Sequence, residues 1–438
     1  MTVPQRLADF GQAIRFTAKW LLLTGPVGIL VGSACALFLW MLDAATNIRH
    51  GNMWLIWLLP VAGAAIGWVY HRFGTTVASG NNLVIDEIHE PGGGIPVRMA
   101  PMILIGTIVT HLFGGSAGRE GTAVQIGGSI ASGIGSMVPW ISRKDLRVLL
   151  MTGVAAGFGG VFGTPVAGAV FALEVLLIGR LDHAAMLPCL MASLIADQTC
   201  LAWGIGHTAY HIAALMPNEL HQHLAVVDVR ILTVTLIAGA GFGMISCLFS
   251  ELAHHIQQLF RTHIRIPALR PLIGGCLVLI LTLSLGTTDY LGLGVQSSDS
   301  NAVTIVSCFR EGGATHWSWL WKLLLTAITV SSGFKGGEVT PLFFIGAAAG
   351  NSVATMTGTP VDLMAGLGFV AVFAGATNTP LACTVMGIEL FGGQYTLYLC
   401  IACFVAYLCS GHSGIYASQR LRNAKTESDA SSESRKLK

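Results

Sequence analysis

Charge is what this sequence has least of. Lys, Arg, Asp and Glu make up 11% of its 438 residues, against about 25% in an ordinary soluble domain. By contrast, 53% of the residues are hydrophobic and the mean hydropathy is +0.68. This shortage argues against a soluble globular enzyme and points to an all-α polytopic membrane protein. No basic run is long enough to suggest a nucleic-acid partner, and a net charge of +2 points to no other. Residues 1–19 lack the short apolar core and cleavage site of a signal peptide; they are polar and amphipathic, and read as a cytoplasmic segment. The ten cysteines are scattered, most of them single inside apolar runs. They read as buried thiols rather than as a disulfide framework or a zinc site, and no metal or cofactor is expected.

What is present is apolar length and glycine. The windows 20–42, 53–70, 231–249 and 271–285 approach the roughly 20 residues that a helix needs to cross a bilayer. Other apolar stretches are too short, or too broken by the 54 glycines and 15 prolines, to cross cleanly. In a membrane, Gly lets helices approach closely and Pro marks broken helices, so many short, tilted or re-entrant helices are predicted. Basic residues cluster before the first span (Arg6, Arg15, Lys19), in two loops (Arg143, Lys144, Arg147; Arg261, Arg265, Arg270) and in the tail 420–438. The positive-inside rule places all four segments, and both termini, in the cytoplasm. The chain divides into the segment 1–19, one transport domain over 20–419 with halves at about 20–200 and 228–412, and a polar tail over 420–438.

Within the apolar region one stretch carries an ionisable pair: Gly118-Arg119-Glu120-Gly121, followed by Thr122-Ala123-Val124-Gln125. An intramembrane charge is expensive and marks function. The preceding glycines break one helix and a second can start near Glu120, whose free N–H groups would attract an anion. Broken helices with their positive ends at membrane depth are how secondary transporters hold anionic substrates.

An internal repeat extends this pattern. Gly160, Thr164, Pro165, Ala167 and Glu174 match Gly375, Thr379, Pro380, Ala382 and Glu389, each pair 215 positions apart. Pro165 lies 45 residues after Glu120, and Pro380 lies 42 after Glu338. Lys335-Gly336-Gly337-Glu338-Val339-Thr340-Pro341 is therefore read as the counterpart of the first stretch, giving one broken-helix site per half, with inverted topology relating the halves. Glu174 and Glu389, at matched places, are assigned structural roles at helix ends.

These motifs resemble the CLC family of chloride channels and anion/proton exchangers. Its hallmark Gly-Lys/Arg-Glu-Gly-x-x-x-Gln stands at 118–125, with the repeat, Gly336-Gly337-x-x-x-Pro341 and a tyrosine near the C-terminus in order. The resemblance covers about residues 20–420. It implies a homodimer with one pore per subunit, inverted repeats, a gating and proton-coupling glutamate at Glu120 and a pore tyrosine at Tyr416. Departures from the chloride pattern point to its fluoride-exporting bacterial branch: Gly80-Asn81-Asn82 replaces a Ser motif, Gly337-Glu338-Val339-Thr340-Pro341 replaces Gly-Ile-Phe-Ala-Pro, and the inner proton-path glutamate of many exchangers falls on Val175. The implied function is a fluoride/proton antiporter of the bacterial inner membrane, exporting fluoride as protons enter. The alternative is a chloride/proton exchanger or chloride channel of the same fold.

Residue chemistry agrees with the fluoride branch. Fluoride gives up its water only to strong donors; Asn81 offers an amide, and Thr340 a hydroxyl beside Val339. Glu120, with Glu338 as an accessory group, can alternate between a carboxylate that occupies the anion site and an acid that leaves it. Gly114-Gly115-Ser116-Ala117-Gly118, with His111 nearby, fits a hydrolase nucleophile pattern, but in a chain this rich in glycine the match is cheap. Asp86, Glu87, His89 and Glu90 form a cluster read as a solvated surface segment rather than a metal site, and Asn81 and Asn82 are candidate helix caps. The histidines of 206–224 (His207, His211, His221, His223) read as part of an extramembrane loop.

Overall fold

The computed structural model describes residues 3–178, 182–214, 228–297, 299–421 and 425. Histidines 221 and 223 and most of the 420–438 tail lie outside them. The first apolar window falls in α1 (Val3–Gly51), one 49-residue helix with Pro26 inside it. Residues 3–19 thus continue directly into the first span, since no Gly-Pro break separates them. There follow α2 (Leu59–Phe73), α3 (Asn81–His89), α4 (Met99–Leu112), α5 (Glu120–Met137), α6 (Arg143–Phe162), α7 (Pro165–Glu174) and α8 (Met186–Ala202). The second half holds α9 (Val229–His263), α10 (Leu269–Leu285), α11 (Ser318–Ser332), α12 (Val339–Thr357), α13 (Val361–Thr377), α14 (Pro380–Phe391) and α15 (Thr396–Cys409). A two-residue strand β1 (Leu177–Ile178) pairs in parallel with β2 (Arg420–Leu421).

The lengths divide as the glycine and proline content predicts. Among the described residues, six helical segments are long and apolar enough to cross a membrane, while six others run to only 10–17 residues. At 1.5 Å per residue, α7 with its 10 residues reaches about 15 Å, half of a bilayer core. All ten cysteines are free thiols. Cys400 and Cys403 have Cys-x-x-Cys spacing, but they sit within the apolar helix α15.

The two halves pack alike. A Cβ added at Gly127 of α5 would overlap the Gly153 carbonyl of α6, and one at Gly346 of α12 would overlap the Gly368 carbonyl of α13. Only glycine lets these backbones touch. Where the halves meet, a buried aromatic cluster forms: Phe343 and Phe369 stack at 4.0 Å, and Phe162 of the first half meets Phe343 at 5.1 Å.

Three ion pairs collect basic residues on one face: Lys19–Asp145 at 2.6 Å, Arg147–Asp182 at 3.5 Å and Arg420–Glu90 at 2.6 Å. On this face Arg261 and Arg270 line a vestibule that also includes Asn82 and Ala417. The end of α1, Arg49 and His50, lines a cavity on the opposite face. Helices α4 and α5 enter from the basic face and return to it. Helices α11 and α12 enter from the opposite face and return there, which is the inverted relation expected from the repeat.

Glu174 and Glu389 cross-link the halves. The Glu389 carboxylate accepts the Val166 and Ala167 amides at 3.0 and 2.8 Å, at the start of α7. Glu174 accepts the Leu381 and Ala382 amides at 3.1 and 2.7 Å, at the start of α14. Each repeat thereby satisfies the orphan donors of the other's Thr-Pro helix start, in keeping with the structural role assigned to both.

Candidate functional site

The site is built where the two broken helices meet. Helix α4 stops at Leu112, Gly114 turns the chain with φ of +89°, and an extended segment runs to α5. Ser116 pins this segment: its hydroxyl reaches the Tyr290 carbonyl and the Thr326 hydroxyl, both at 2.9 Å, and its amide reaches Thr329 Oγ1 at 3.3 Å. Its hydroxyl is thus engaged in holding the backbone, and neither of its partners is a base.

Two residues later the halves are stitched together. Gly118 and Gly337 form an antiparallel bridge, with Gly118 N donating to Gly337 O at 2.5 Å and Gly337 N to Gly118 O at 2.8 Å. A Cβ at Gly337 would stand 2.7 Å from the Gly121 amide, so no larger residue fits. Directly beyond the bridge α5 begins at Glu120 and α12 at Val339, bringing two helix N-termini with unpaired amides face to face.

The Glu120 carboxylate fills the space between them. It is fully buried at 0% exposure. The Thr340 amide donates to it at 3.0 Å, and the Thr340 hydroxyl lies 2.7 and 2.5 Å from its two oxygens, so one hydrogen is shared between them. The Arg119 amide donates at 3.1 Å and Arg119 Nε lies at 3.4 Å. A carboxyl side chain of the first repeat is therefore held by the Thr340 amide and hydroxyl of the second, with Arg119 beside it.

Glu120 also separates two water-accessible spaces. The basic-face vestibule, about 290 Å³, is lined by Asn81, Lys335, Glu338 and Tyr416 among others. The opposite cavity, about 310 Å³, reaches in as far as Arg119. Glu120 itself lines neither.

The other expected residues divide. Thr340 and Val339 are buried at the start of α12. Asn81 is the first residue of α3, and its amide nitrogen stands where a Cβ on Gly121 would come within 2.8 Å of it. Its Oδ1 is buried without a hydrogen-bond partner. Neither Asn81 nor Asn82 caps α3, contrary to expectation: Gly80, at φ of +61°, holds the cap position, and Asn82 Oδ1 instead accepts the Ser418 amide at 3.1 Å. Tyr416 shares a small apolar recess with Asn81 and Val175. Glu338 stands at the cap position of α12, but not as the counterpart of Glu120. The local twofold of the antiparallel Gly118–Gly337 bridge makes Glu338 the counterpart of Arg119 and Val339 that of Glu120, one position away from the sequence pairing. That offset turns the side chain by about 100° around the helix axis. Glu338 therefore faces the basic-face vestibule rather than the crossing.

The 86–90 cluster is structural. Glu87 accepts the Gly92 and Gly94 amides at 2.7 and 2.9 Å, His89 meets the Leu176 carbonyl at 3.1 Å, and Glu90 pairs with Arg420. His207 turns inward to within 3.4 Å of Asp197 and packs over Gly163. Sequence reading missed two buried cations beside the site, Arg49 and Lys322. A lone lysine in the apolar run 318–332 was the available signal.

Residues 62–411 match the family model described as voltage gated chloride channel. A chloride/fluoride channel protein of Pseudomonas syringae pv. tomato is 48% identical over 416 residues, covering 94% of this chain and 88% of the relative. The crystal structure of a CLC-type fluoride/proton antiporter superposes with a TM-score of 0.85 at 35% identity, covering 92% of this chain and 98% of that one. A slow cyanobacterial Cl-/H+ antiporter has a TM-score of 0.75 at 20% identity, covering 91% and 96%, which is a likeness of fold.

Proposed function

The chain belongs to the voltage-gated chloride channel family, and on that premise we propose that it exports fluoride from a bacterial cytoplasm in exchange for entering protons. The observation that carries the proposal is the seat of Glu120. A carboxylate bound by the Thr340 amide and hydroxyl and by the Arg119 amide occupies donors suited to a small anion. Fluoride can take that seat only when the carboxylate leaves, and a carboxylate gives up charge-assisted hydrogen bonds most readily as the neutral acid. Each exchange of the seat's occupant is therefore tied to a proton.

Fluoride rather than chloride is supported by the donors, since the amide of Asn81 and the hydroxyl of Thr340 suit an ion that is costly to dehydrate. The likeness to a fluoride/proton antiporter supports the same reading. In it Asn81, the Val339 backbone, Thr340 and Tyr416 contact the anion, Glu120 gates and couples, and Glu338 assists from the basic face. That face is cytoplasmic by its arginines and lysines, with both termini on it, and the membrane is the inner one. The assembly is a homodimer. Leu187, Leu194 and Leu201, exposed at seven-residue intervals on α8, give an apolar surface for a second copy.

The test is efflux of fluoride and of chloride from proteoliposomes, read by ion-selective electrodes with proton uptake recorded in parallel. Fluoride should leave faster than chloride and draw protons in. In Glu120→Gln, proton uptake should vanish. Uphill proton movement in that variant would remove Glu120 as the coupling group, and faster chloride in the wild type would favour chloride exchange.

A further inference from the structure

The cavity on the face opposite the arginine-rich loops has an unusual charge arrangement. Arg49, in the last turn of α1, lines it with only 5% of its surface exposed. No carboxylate pairs with it among the described residues. Its Nη1 donates to the His111 carbonyl at 3.3 Å and its Nη2 meets His50 Nε2 at 3.0 Å. These contacts leave part of a five-donor guanidinium unused. The Gly292 backbone comes so close that any side chain there would overlap Nη1, so the chain has made room for this group.

Behind the same wall stands a second buried cation. Lys322 Nζ donates to the Tyr290 and Gly292 carbonyls at 3.0 and 2.7 Å and lies 5.4 Å from the Phe344 ring centre. Every one of these partners is an electron-rich acceptor facing the amine hydrogens. The Tyr290 carbonyl is also the one that holds Ser116. Arg119 reaches the cavity from the seat of Glu120. The acids are placed differently: Asp43 and Asp299 are exposed, and Asp289 is tied to the Val303 amide at 3.1 Å. The cavity thus has a buried cationic floor and acidic groups toward solvent.

We propose that this outer cavity contains a second anion site, in which the guanidinium of Arg49 holds the exported anion after it has passed Glu120. The ligand is a small hard anion able to accept hydrogen bonds from a guanidinium, which under the proposed function, on which this inference rests, is fluoride. Lys322, from behind the loop, ties down the Tyr290 and Gly292 carbonyls and so fixes the wall against which Arg49 lies.

The experiment uses right-side-out bacterial membrane vesicles loaded with fluoride, with net efflux followed as external fluoride is raised. In the wild type, external fluoride refills the outer site and halves net efflux at a characteristic concentration. Arg49→Gln should raise that concentration by about tenfold to a hundredfold, the loss expected for one hydrogen bond to a charged group. The efflux that remains in Arg49→Gln should still draw protons in, because the Thr340 donors to Glu120 are untouched. Arg49→Lys, which keeps the charge, should show a smaller shift. Thr288→Asp, a substitution at an exposed position of the cavity, should raise the concentration too by placing a carboxylate opposite the cations, and it serves if Arg49→Gln fails to reach the membrane. An unchanged half-inhibiting concentration in either variant, or equal shifts in Arg49→Gln and Arg49→Lys, would overturn the proposal. Failure of the fluoride reading itself would appear separately, as absent proton-coupled fluoride efflux in the wild type.

Discussion

Replacing Thr340 by valine keeps the shape of the side chain and removes one hydroxyl. In the structure that hydroxyl donates to the Glu120 carboxylate at 2.5–2.7 Å, while the Thr340 amide at 3.0 Å and the Arg119 amide at 3.1 Å are untouched by the change. The same hydroxyl is available to fluoride once Glu120 has left, so the effect on rate is a difference between two losses. For fluoride, a single small ion with few simultaneous partners, a hydrogen bond to charge is worth about 1.5–3 kcal/mol. The carboxylate keeps its amide donors and shares the one hydroxyl hydrogen between two oxygens, so its loss is nearer to about 0.5–1.5 kcal/mol. The net penalty of about 1–1.5 kcal/mol falls on fluoride and corresponds to roughly fivefold to tenfold slower turnover. The assay is initial fluoride efflux from proteoliposomes at matched reconstitution density, with Thr340→Ser as the control that restores the hydroxyl. Efflux in Thr340→Val at or above the wild-type rate, or an equal loss in Thr340→Ser, would refute the reasoning.

Asn81→Ser exchanges an amide for a hydroxyl beside Gly121 and should narrow the preference for fluoride over chloride by about twofold to tenfold, the worth of one neutral hydrogen bond; the ratio of the two efflux rates measures it, and an unchanged ratio would take selectivity away from Asn81. Glu174→Ala and Glu389→Ala each strand two helix-start amides in the protein interior, at about 1–3 kcal/mol per group. The two caps sit at opposite ends of helices about 15 Å long, far enough apart for their effects to add. Thermal unfolding in detergent should therefore show similar drops in Tm for the single variants and the sum of them in the double, while a double variant no worse than either single would mean that the caps act as one unit.

The helices and the repeat were legible because both are written in local pattern. Apolar windows, glycine breaks and the matched Thr-Pro and Glu positions lie in single stretches of chain, and Gly118 to Gln125 carries the place where the two helix starts meet. The exact mating of the halves was not legible. Counting along the chain paired Glu120 with Glu338, whereas the hydrogen bonds between Gly118 and Gly337 set a register one residue different, and such a register is decided by backbone contact between segments more than 200 positions apart. Asn81 illustrates the same limit. Its type suggested a helix cap, a local role, but Gly80 with positive φ starts α3 and frees the amide to lie against Gly121 from another helix. Arg49 was invisible for a related reason: at the end of a long helix it reads as a solvated terminus, and only the folded loops of Gly114 and Gly292 bury it.

The bridge between Gly118 and Gly337 is a short piece of near-symmetric backbone, and what hangs from its matched positions is not symmetric at all. Arg119 and Glu338 occupy equivalent places and look toward opposite compartments. A scaffold with twofold backbone symmetry therefore carries unlike groups at its matched positions, a guanidinium facing one side of the membrane and a carboxyl facing the other. The two approaches to the crossing thus differ in chemistry although the backbone that joins them is the same on both sides.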